Sequence, residues 1–239
     1  MEFVTSRDQL RTIYKTPRPT DGSIRKELKA LDGHCRSFIG KSPFVLIGST
    51  DGAGNADVTP KGDRPGFVEV LDDATIAIPD RPGNNRLDTL ENLLRDPAIG
   101  LLFLIPGMNE TLRINGEARI TADPTLRERL AHDGKPPIGV VVVSVKAAYM
   151  HCAKAFMRSE LWRPESWPDR TKLPTLGQIL KDRFCGDDCA AALRVQGNIA
   201  VDQRNQPMFK SDADRGYFER NQLAVNTARR GRRLNSQDR

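Results

Sequence analysis

The sequence predicts a mainly β (α+β) fold: about six antiparallel strands in a small barrel, with short flanking helices. Three observations point to a small barrel of this kind. Short apolar or alternating runs recur between residues 43 and 145, separated by turn sequences such as DGAGN at 51–55. The helical stretches among them are short and do not alternate with the strands as in a βαβ series. No GxGxxG follows a strand either, which disfavours a Rossmann domain. The chain has 239 residues, 28% charged and 6% aromatic, the composition of an ordinary globular protein with room for one large domain or two small ones.

Taken in order, residues 6–15 read as a short helix, with Ser6 as N-cap and Gln9 three residues later as in a capping box. A Pro-rich break covers 16–21. Ser23 opens a second helix that places Ile24, Leu28 and Leu31 on one face, and Asp32 caps a third helix ending near Lys41. Residues 43–49 (PFVLIGS) form a strand, 51–55 its hairpin turn and 56–59 the return strand. Residues 66–70 and 74–78 make a second hairpin around Leu71, Asp72 and Asp73. Residues 86–95 are helical, with Leu87, Leu90, Leu93 and Leu94 on one side. A buried strand over 98–105, a half-buried one over 112–121, a short helix over 124–132 and a buried strand over 138–145 complete the series. Beyond Tyr149, MHCAKAFMRSELWRPESW reads as a helix and an exit segment, and 176–184 as one more helix. From Gly186 onward the chain is polar without sustained apolar period. The expected division is therefore a domain over 1–185 and a basic tail over 186–239 that buries too little to order itself.

The net charge of +6 permits an anionic partner without requiring one. Much of the excess is in Arg229, Arg230, Arg232 and Arg233, a solvated run with no aromatic interleaving, so a nucleic-acid partner is disfavoured. The four cysteines, Cys35, Cys152, Cys185 and Cys189, do not make a disulfide framework. Cys185 and Cys189 are near enough to pair or to share a metal, but none of His34, His132 and His151 has zinc-ligand spacing to them, and no metal is expected. MEFVTSRDQL has no apolar signal region, and the apolar runs 98–108 and 138–143 are too short to span a bilayer. The expectation is a cytoplasmic protein with no membrane partner.

The stretch over 54–92, GNADVTPKGDRPGFVEVLDDATIAIPDRPGNNRLDTLEN, gathers Gly, Pro, Arg and Lys around two short apolar runs. Gly-rich cationic loops between strands are a means of holding a phosphate against a sheet. The missing Cβ lets the backbone approach, and Arg or Lys neutralises the anion.

Together with SPFVLIGSTDGAGNADVTPKGD, IAIPDRPGNNRLDTLENLLRDPAIGLLFLIPG, ETLRINGEARI and HCAKAFMRSELW, this stretch resembles a branch of the pyridoxamine phosphate oxidase-like flavoproteins, over roughly Phe38 to Trp162. The resemblance implies a split β-barrel with FMN in the seam of a homodimer. It also implies an FMN-dependent oxidoreductase acting on a small-molecule substrate through the flavin N5. A flavin-binding protein without turnover, and a related barrel binding haem or a deazaflavin, are the alternatives. The family's phosphate-binding segment matches Asp80, Arg81, Pro82, Gly83, Asn84, Asn85 and Arg86, with Asn84-Asn85-Arg86 where Ser-Arg-Lys is usual. Its other cofactor-facing segment matches Val58, Thr59, Pro60, Lys61 and Gly62. The basic C-terminal strand that closes on substrate phosphate in the oxidases is not evident.

Under that resemblance the candidate residues carry two readings each. Arg86 either grips the FMN phosphate at a helix N-terminus or is a solvated first-turn arginine placed against the macrodipole. Asn84 and Asn85 donate to phosphate or ribityl oxygens, or serve as cap and positive-φ turn. Lys61 lies near the flavin or in water; Thr59 and Pro79 shape the pocket with backbone groups. Arg113 points away from the face of Leu112 and Ile114, toward a phosphate or toward solvent. Lys154 and Arg158, spaced i,i+4, share a helical face that meets the FMN of the second subunit or an anionic substrate. His151 and Cys152 point to different faces of the expected helix and make a poor dyad; Cys152 is expected in the core. Trp162 stacks on a ring or fills the dimer seam.

Overall fold

The computed structural model describes residues 1–179, 200–201 and 207–208. The chain divides into two compact units, Met1–Trp167 and Pro168–Arg239. Short-range sequence signals shape the first helices. In α1 (Arg7–Ile13), the Ser6 hydroxyl accepts from the Gln9 amide at 3.1 Å, and the Gln9 side chain turns back to the Thr5 amide. The second helix is shorter than the apolar spacing predicts. α2 covers only Gly22–Arg25; Ile24 is exposed, while Leu28 bridges to Ala148 and Leu31 is buried. The pairing of residue 28 with a strand edge overrides the helical period. α3 (Gly33–Lys41) matches expectation, with the Asp32 carboxylate accepting from the Cys35 amide at 2.8 Å.

Seven strands follow: β1 (Phe44–Thr50), β2 (Ala56–Gly62), β3 (Glu69–Val70), β4 (Thr75–Asp80), β5 (Ala98–Leu104), β6 (Thr111–Thr121) and β7 (Gly139–His151). They form one sheet in the order β2-β1-β5-β6-β7-β4-β3, every pairing antiparallel. The fold is thus the mainly β antiparallel class with short helices. The sheet has seven strands where six were expected in all; β3, expected over 66–70 as the first arm of the second hairpin, keeps only two residues. Three more helices connect and flank the sheet: α4 (Asp88–Arg95), α5 (Pro124–Arg129) and α6 (Lys154–Ser159).

Alternation along the strands decides which face is inside. Val45 and Ile47 of β1, Leu101 and Phe103 of β5, Leu112 and Ile114 of β6, and Ile76 and Ile78 of β4 are all buried in one cluster with Phe38, Ile39 and Leu93. The register slips between Asn115 and Gly116, where a Cβ would collide with the Ser144 carbonyl oxygen. Only glycine fits that bulge. β7 runs to His151 because β6 keeps pairing with it as far as Thr111↔His151, well past the expected end at 145. His151 therefore ends a strand instead of lying in a helix, and Cys152 is exposed; among the described residues the buried cysteine is Cys35. Trp162 packs on Phe156 at 5.7 Å and donates its Nε1–H to the Met108 carbonyl at 2.8 Å.

The sheet curls until its far edges meet. Lys61 on β2, at one edge, pairs with Asp80 at the end of β4 at 2.6 Å. This contact lies across the split of the barrel.

In the second unit, residues 176–179 are helical and β8 (Ala200–Val201) pairs with β9 (Pro207–Met208). The remaining expectations for the tail, including Cys185, Cys189 and the arginine run at 229–233, fall outside the described residues. Among the described residues no helix is long and apolar enough to cross a membrane.

Candidate functional site

A cavity of about 620 Å³ opens at the barrel split. Its walls are residues 57–62 of β2, Phe67, Pro79 at the end of β4, the loop residues Arg81 to Asn84, Arg86, and the first residues of α4. That volume is within the usual range for small-molecule sites, about 300–1,000 Å³. The sequence positions each wall for a local reason. β2 is an edge strand whose Asp57, Thr59 and Lys61 point one way, alternating with exposed neighbours. Pro60 sits on that edge, where its missing N–H removes no pairing needed by a central strand. Pro82 and Gly83 end β4, and Asn85 takes a φ of 58°, so the chain can turn into α4.

Charge surrounds the cavity in pairs. Lys61 Nζ meets Asp80 Oδ1 at 2.6 Å, and Arg81 Nε donates to Asp63 Oδ2 at 2.9 Å. Arg86 Nε donates to Asp88 Oδ2 at 2.7 Å, and the Thr89 hydroxyl donates to Asp57 Oδ2 at 2.9 Å. The Asn84 side-chain oxygen accepts from the Arg86 amide at 3.0 Å. Two features break this compensation. Arg81 Nη1 is buried without a hydrogen-bond partner, the one such side-chain atom found among the described residues. The residue preceding α4 is Leu87, which supplies no side-chain cap, so the helix presents its N-terminus at the cavity without one.

These features suit a phosphorylated ligand. A phosphate in the cavity would be offered the guanidinium of Arg86, the ammonium of Lys61 and the uncapped helix end. Gly62 and Gly83 leave the wall thin. The cavity wall holds no His, Cys or Ser, and its acidic side chains are already engaged. The arrangement can bind and orient, and it offers no free general acid or base. Among the described residues no cluster of metal-ligating side chains occurs.

The structure brings together Thr59, Lys61, Pro79, Arg81, Asn84 and Arg86 around the cavity. Asp80 stands behind it as the partner of Lys61, and Asn85 makes the turn beside it. Arg113, Lys154 and Arg158 lie elsewhere on the chain. Arg113 is half-buried with its guanidinium 5.3 Å from the centre of the Tyr149 ring, and Lys154 and Arg158 are exposed on α6. Sequence reasoning did not single out Asp57, Asp63, Phe67, Asp88 or Thr89. Asp63 and Asp88 each lie two residues from a named cation, Lys61 and Arg86, which is the one signal that marks them. The partners of Asp57 and Asp63 are 32 and 18 residues away, which no local pattern reveals.

The cavity at the split of this antiparallel barrel is thus lined by Lys61, Arg81 and Arg86 together with the first residues of α4. The family model described as pyridoxamine 5'-phosphate oxidase matches residues 31–152, just over half of the chain, and the protein belongs to that family, whose members bind flavins and include oxidoreductases. No curated protein matches. Among solved structures, HupZ of Group A Streptococcus is 14% identical with a TM-score of 0.42, over 50% of this chain and 93% of that one. An FMN-binding protein from Syntrophomonas wolfei is 16% identical with a TM-score of 0.39, over 49% and 83%. An F420 reductase is 15% identical with a TM-score of 0.36, over 48% and 94%. At these scores the names belong to those proteins alone.

Proposed function

We propose that the protein is an FMN-dependent oxidoreductase that binds the flavin in the cavity at the barrel split, with the phosphate at the N-terminus of α4. The observation that carries this reading is that Arg81, the exposed Arg86 and the uncapped end of α4 line one cavity. When bound, FMN supplies hydride exchange with a small substrate at its N5 position. The chain's own part is binding and electrostatics. Arg86 moves its charge from Asp88 to the phosphate, at the cost of the solvent-screened pair it leaves. Lys61, held by Asp80, fixes a positive charge at the edge of the cavity. Thr59 and Pro79 shape its walls, and Asn84 fixes the Arg86 amide.

The reading includes a homodimer. One sheet face carries Leu46 and Leu102, half-buried, above a floor made by the paired Gly48 and Gly100, with Val58 exposed at the edge. A Cβ at either glycine would meet its nearest neighbour at an ordinary 3.7–3.8 Å, so nothing within the chain demands glycine there. Mid-strand glycine without an internal reason marks a surface that another backbone or ligand approaches closely. Arg113, Lys154 and Arg158, outside the cavity in one chain, are assigned in this reading to the flavin of the second copy. The flavin-binding unit is taken to end near residue 185.

A flavin carrier without turnover uses the same site, and the absence of a free acid or base in the cavity wall favours it. Reducing the flavin-loaded protein and following reoxidation, with and without candidate substrates, separates the two. Substrate-dependent turnover supports the enzyme, and its absence across acceptors leaves the carrier. Purified protein that binds no flavin at all overturns both.

A further inference from the structure

Helix α4 docks against its own hydrophobic pattern. Leu87, Leu90, Leu93 and Leu94 share one side, yet Leu94 is 77% exposed and Leu87 45%, while the face turned inward holds Thr89, Asn92 and Leu93. The buried face is displaced from the leucine stripe by about 100°, the turn of one helical residue. Burying Thr89 and Asn92 where a leucine was available costs free energy unless their polar atoms find partners, and both do. The Thr89 hydroxyl donates to Asp57 Oδ2 at 2.9 Å, and Asn92 Nδ2 donates to Ser49 Oγ at 3.2 Å. Asp57 and Ser49 stand directly opposite each other in the β1–β2 ladder. Thr89 and Asn92 are three residues apart, a helical rise of about 4.5 Å, which matches the roughly 4.8 Å between neighbouring strands. One turn of α4 is thus tied to an opposed pair of strand residues. The Thr50 hydroxyl, donating to Asp96 Oδ2 at 2.9 Å, ties the other end. Apolar burial is non-directional and tolerates a roll of the helix; hydrogen bonds of defined geometry do not.

We propose that Thr89 and Asn92 are positioning residues for the phosphate ligand of the cavity: through Asp57 and Ser49 they fix the rotation of α4, and with it the placement of Arg86 and the first helical turn in the cavity wall. The proposal rests on the reading that the cavity holds a flavin phosphate at that wall. Asp57, Arg86, Asp88 and Thr89 line the cavity, so the Thr89–Asp57 bond is made in the wall itself. Asn92 and Ser49 are buried behind it and act on a ligand only through the helix. Once these ties are cut, burial of Leu94 favours a roll toward the leucine stripe, and Arg86 and the first-turn amides move with the helix. A flavin ring without a phosphate does not depend on that placement.

The test is binding of FMN and of riboflavin to the full chain at constant pH and salt. The proteins are wild type, Ser49→Ala/Asn92→Leu, Ser49→Ala, Thr89→Val and Thr89→Ser. The double variant removes both partners of one buried bond, so no polar group is orphaned and the fold should persist. The expected result is a preference for FMN over riboflavin about three- to tenfold smaller in the double variant and in Thr89→Val than in wild type. That is part of the ten- to hundredfold which a charge-assisted phosphate contact supplies. Riboflavin affinity should be the same in all five, and Thr89→Ser, which keeps the hydroxyl, should keep the wild-type preference. An unchanged preference in the folded double variant overturns the positioning role and leaves the flavin reading standing, even if Thr89→Val loses it, because Thr89 would then act by direct contact. Equal weakening of both ligands overturns it too, as the mark of a general structural role. Absence of any FMN preference in wild type overturns the phosphate reading itself, and this proposal with it. Circular dichroism checks the fold; should the double variant unfold, Ser49→Ala, which removes one acceptor outside the wall, decides in its place.

Discussion

Two helices of nearly equal length flank the same barrel and begin differently. α3 spans nine residues and its N-terminus is closed by its own chain, through the Asp32 carboxylate on the Cys35 amide. α4 spans eight and starts after Leu87, which has no side chain to cap it, with Arg86 immediately before. Both pack on the core, α3 through Phe38 and Ile39, α4 through Leu93. The difference is in the ends. A helix needed only for packing satisfies its first amides locally. A helix needed for binding leaves them to a ligand and tolerates a poor start in its absence. The acidic Asp88 and Glu91 in the first turn of α4 offset part of that deficit.

Removing the cation at the open end should have the largest effect. Arg86→Ala deletes a charge-assisted contact worth about 1.5–3 kcal/mol, so FMN affinity should fall roughly ten- to hundredfold in a fluorescence titration. The fold should persist, since the side chain is 76% exposed. An unchanged affinity would place the phosphate elsewhere.

Making α4 resemble α3 sharpens the contrast. Leu87→Asp supplies the missing cap and should raise ligand-free stability by about 0.5–1 kcal/mol. The same carboxylate should weaken FMN by about two- to fivefold by opposing the phosphate at the helix end. Stability and affinity moving in the same direction would sink the comparison.

Making α3 resemble α4 is the converse. Asp32→Ala should cost about 1 kcal/mol in a denaturation experiment and leave FMN affinity untouched. The Asp32 carboxyl lies below its ordinary range because the Cys35 amide donates to its charged form. A carboxyl depressed in the folded state stabilises above its unfolded pKa, and that stability is lost as pH falls through the folded one. Asp51, Asp72 and Asp96, each in a turn or at a helix end and each depressed by hydrogen bonds, act in the same direction. Wild-type thermal stability should therefore decline below about pH 4, and part of that decline should be missing in Asp32→Ala. Identical acid profiles would contradict the assignment to this cap.

The smallest effect concerns thiols. Cys35, behind the capped end of α3, has its thiol pushed up to about 11, chiefly by burial, whereas Cys152 is exposed. Peptide mapping after alkylation at neutral pH should find Cys152 labelled and Cys35 protected until the protein unfolds.

Much of this molecule was legible in its sequence because the deciding forces are local. The caps of α1 and α3, the DGAGN turn and the alternation along β1 and β6 are set within a few residues. What the sequence concealed depends on distant partners. Leu28 leaves its helical pattern because Ala148 offers a strand edge, and β7 overruns its expected end because β6 keeps pairing with it. The same division holds at the cavity. Thr59, Lys61, Pro79, Arg81, Asn84 and Arg86 occur in two short motifs. Asp57 and Asp63 matter only because the curled sheet brings them to Thr89 and Arg81.

The most direct test of the central claim, that the open end of α4 holds a ligand phosphate, is calorimetric titration of the protein with FMN and with riboflavin at constant pH and salt. The two ligands share the flavin ring and differ in the phosphate. The account predicts that FMN binds about ten- to hundredfold more tightly, and that Arg86→Ala removes most of the difference. Equal affinities for the two ligands in the wild-type protein would contradict it.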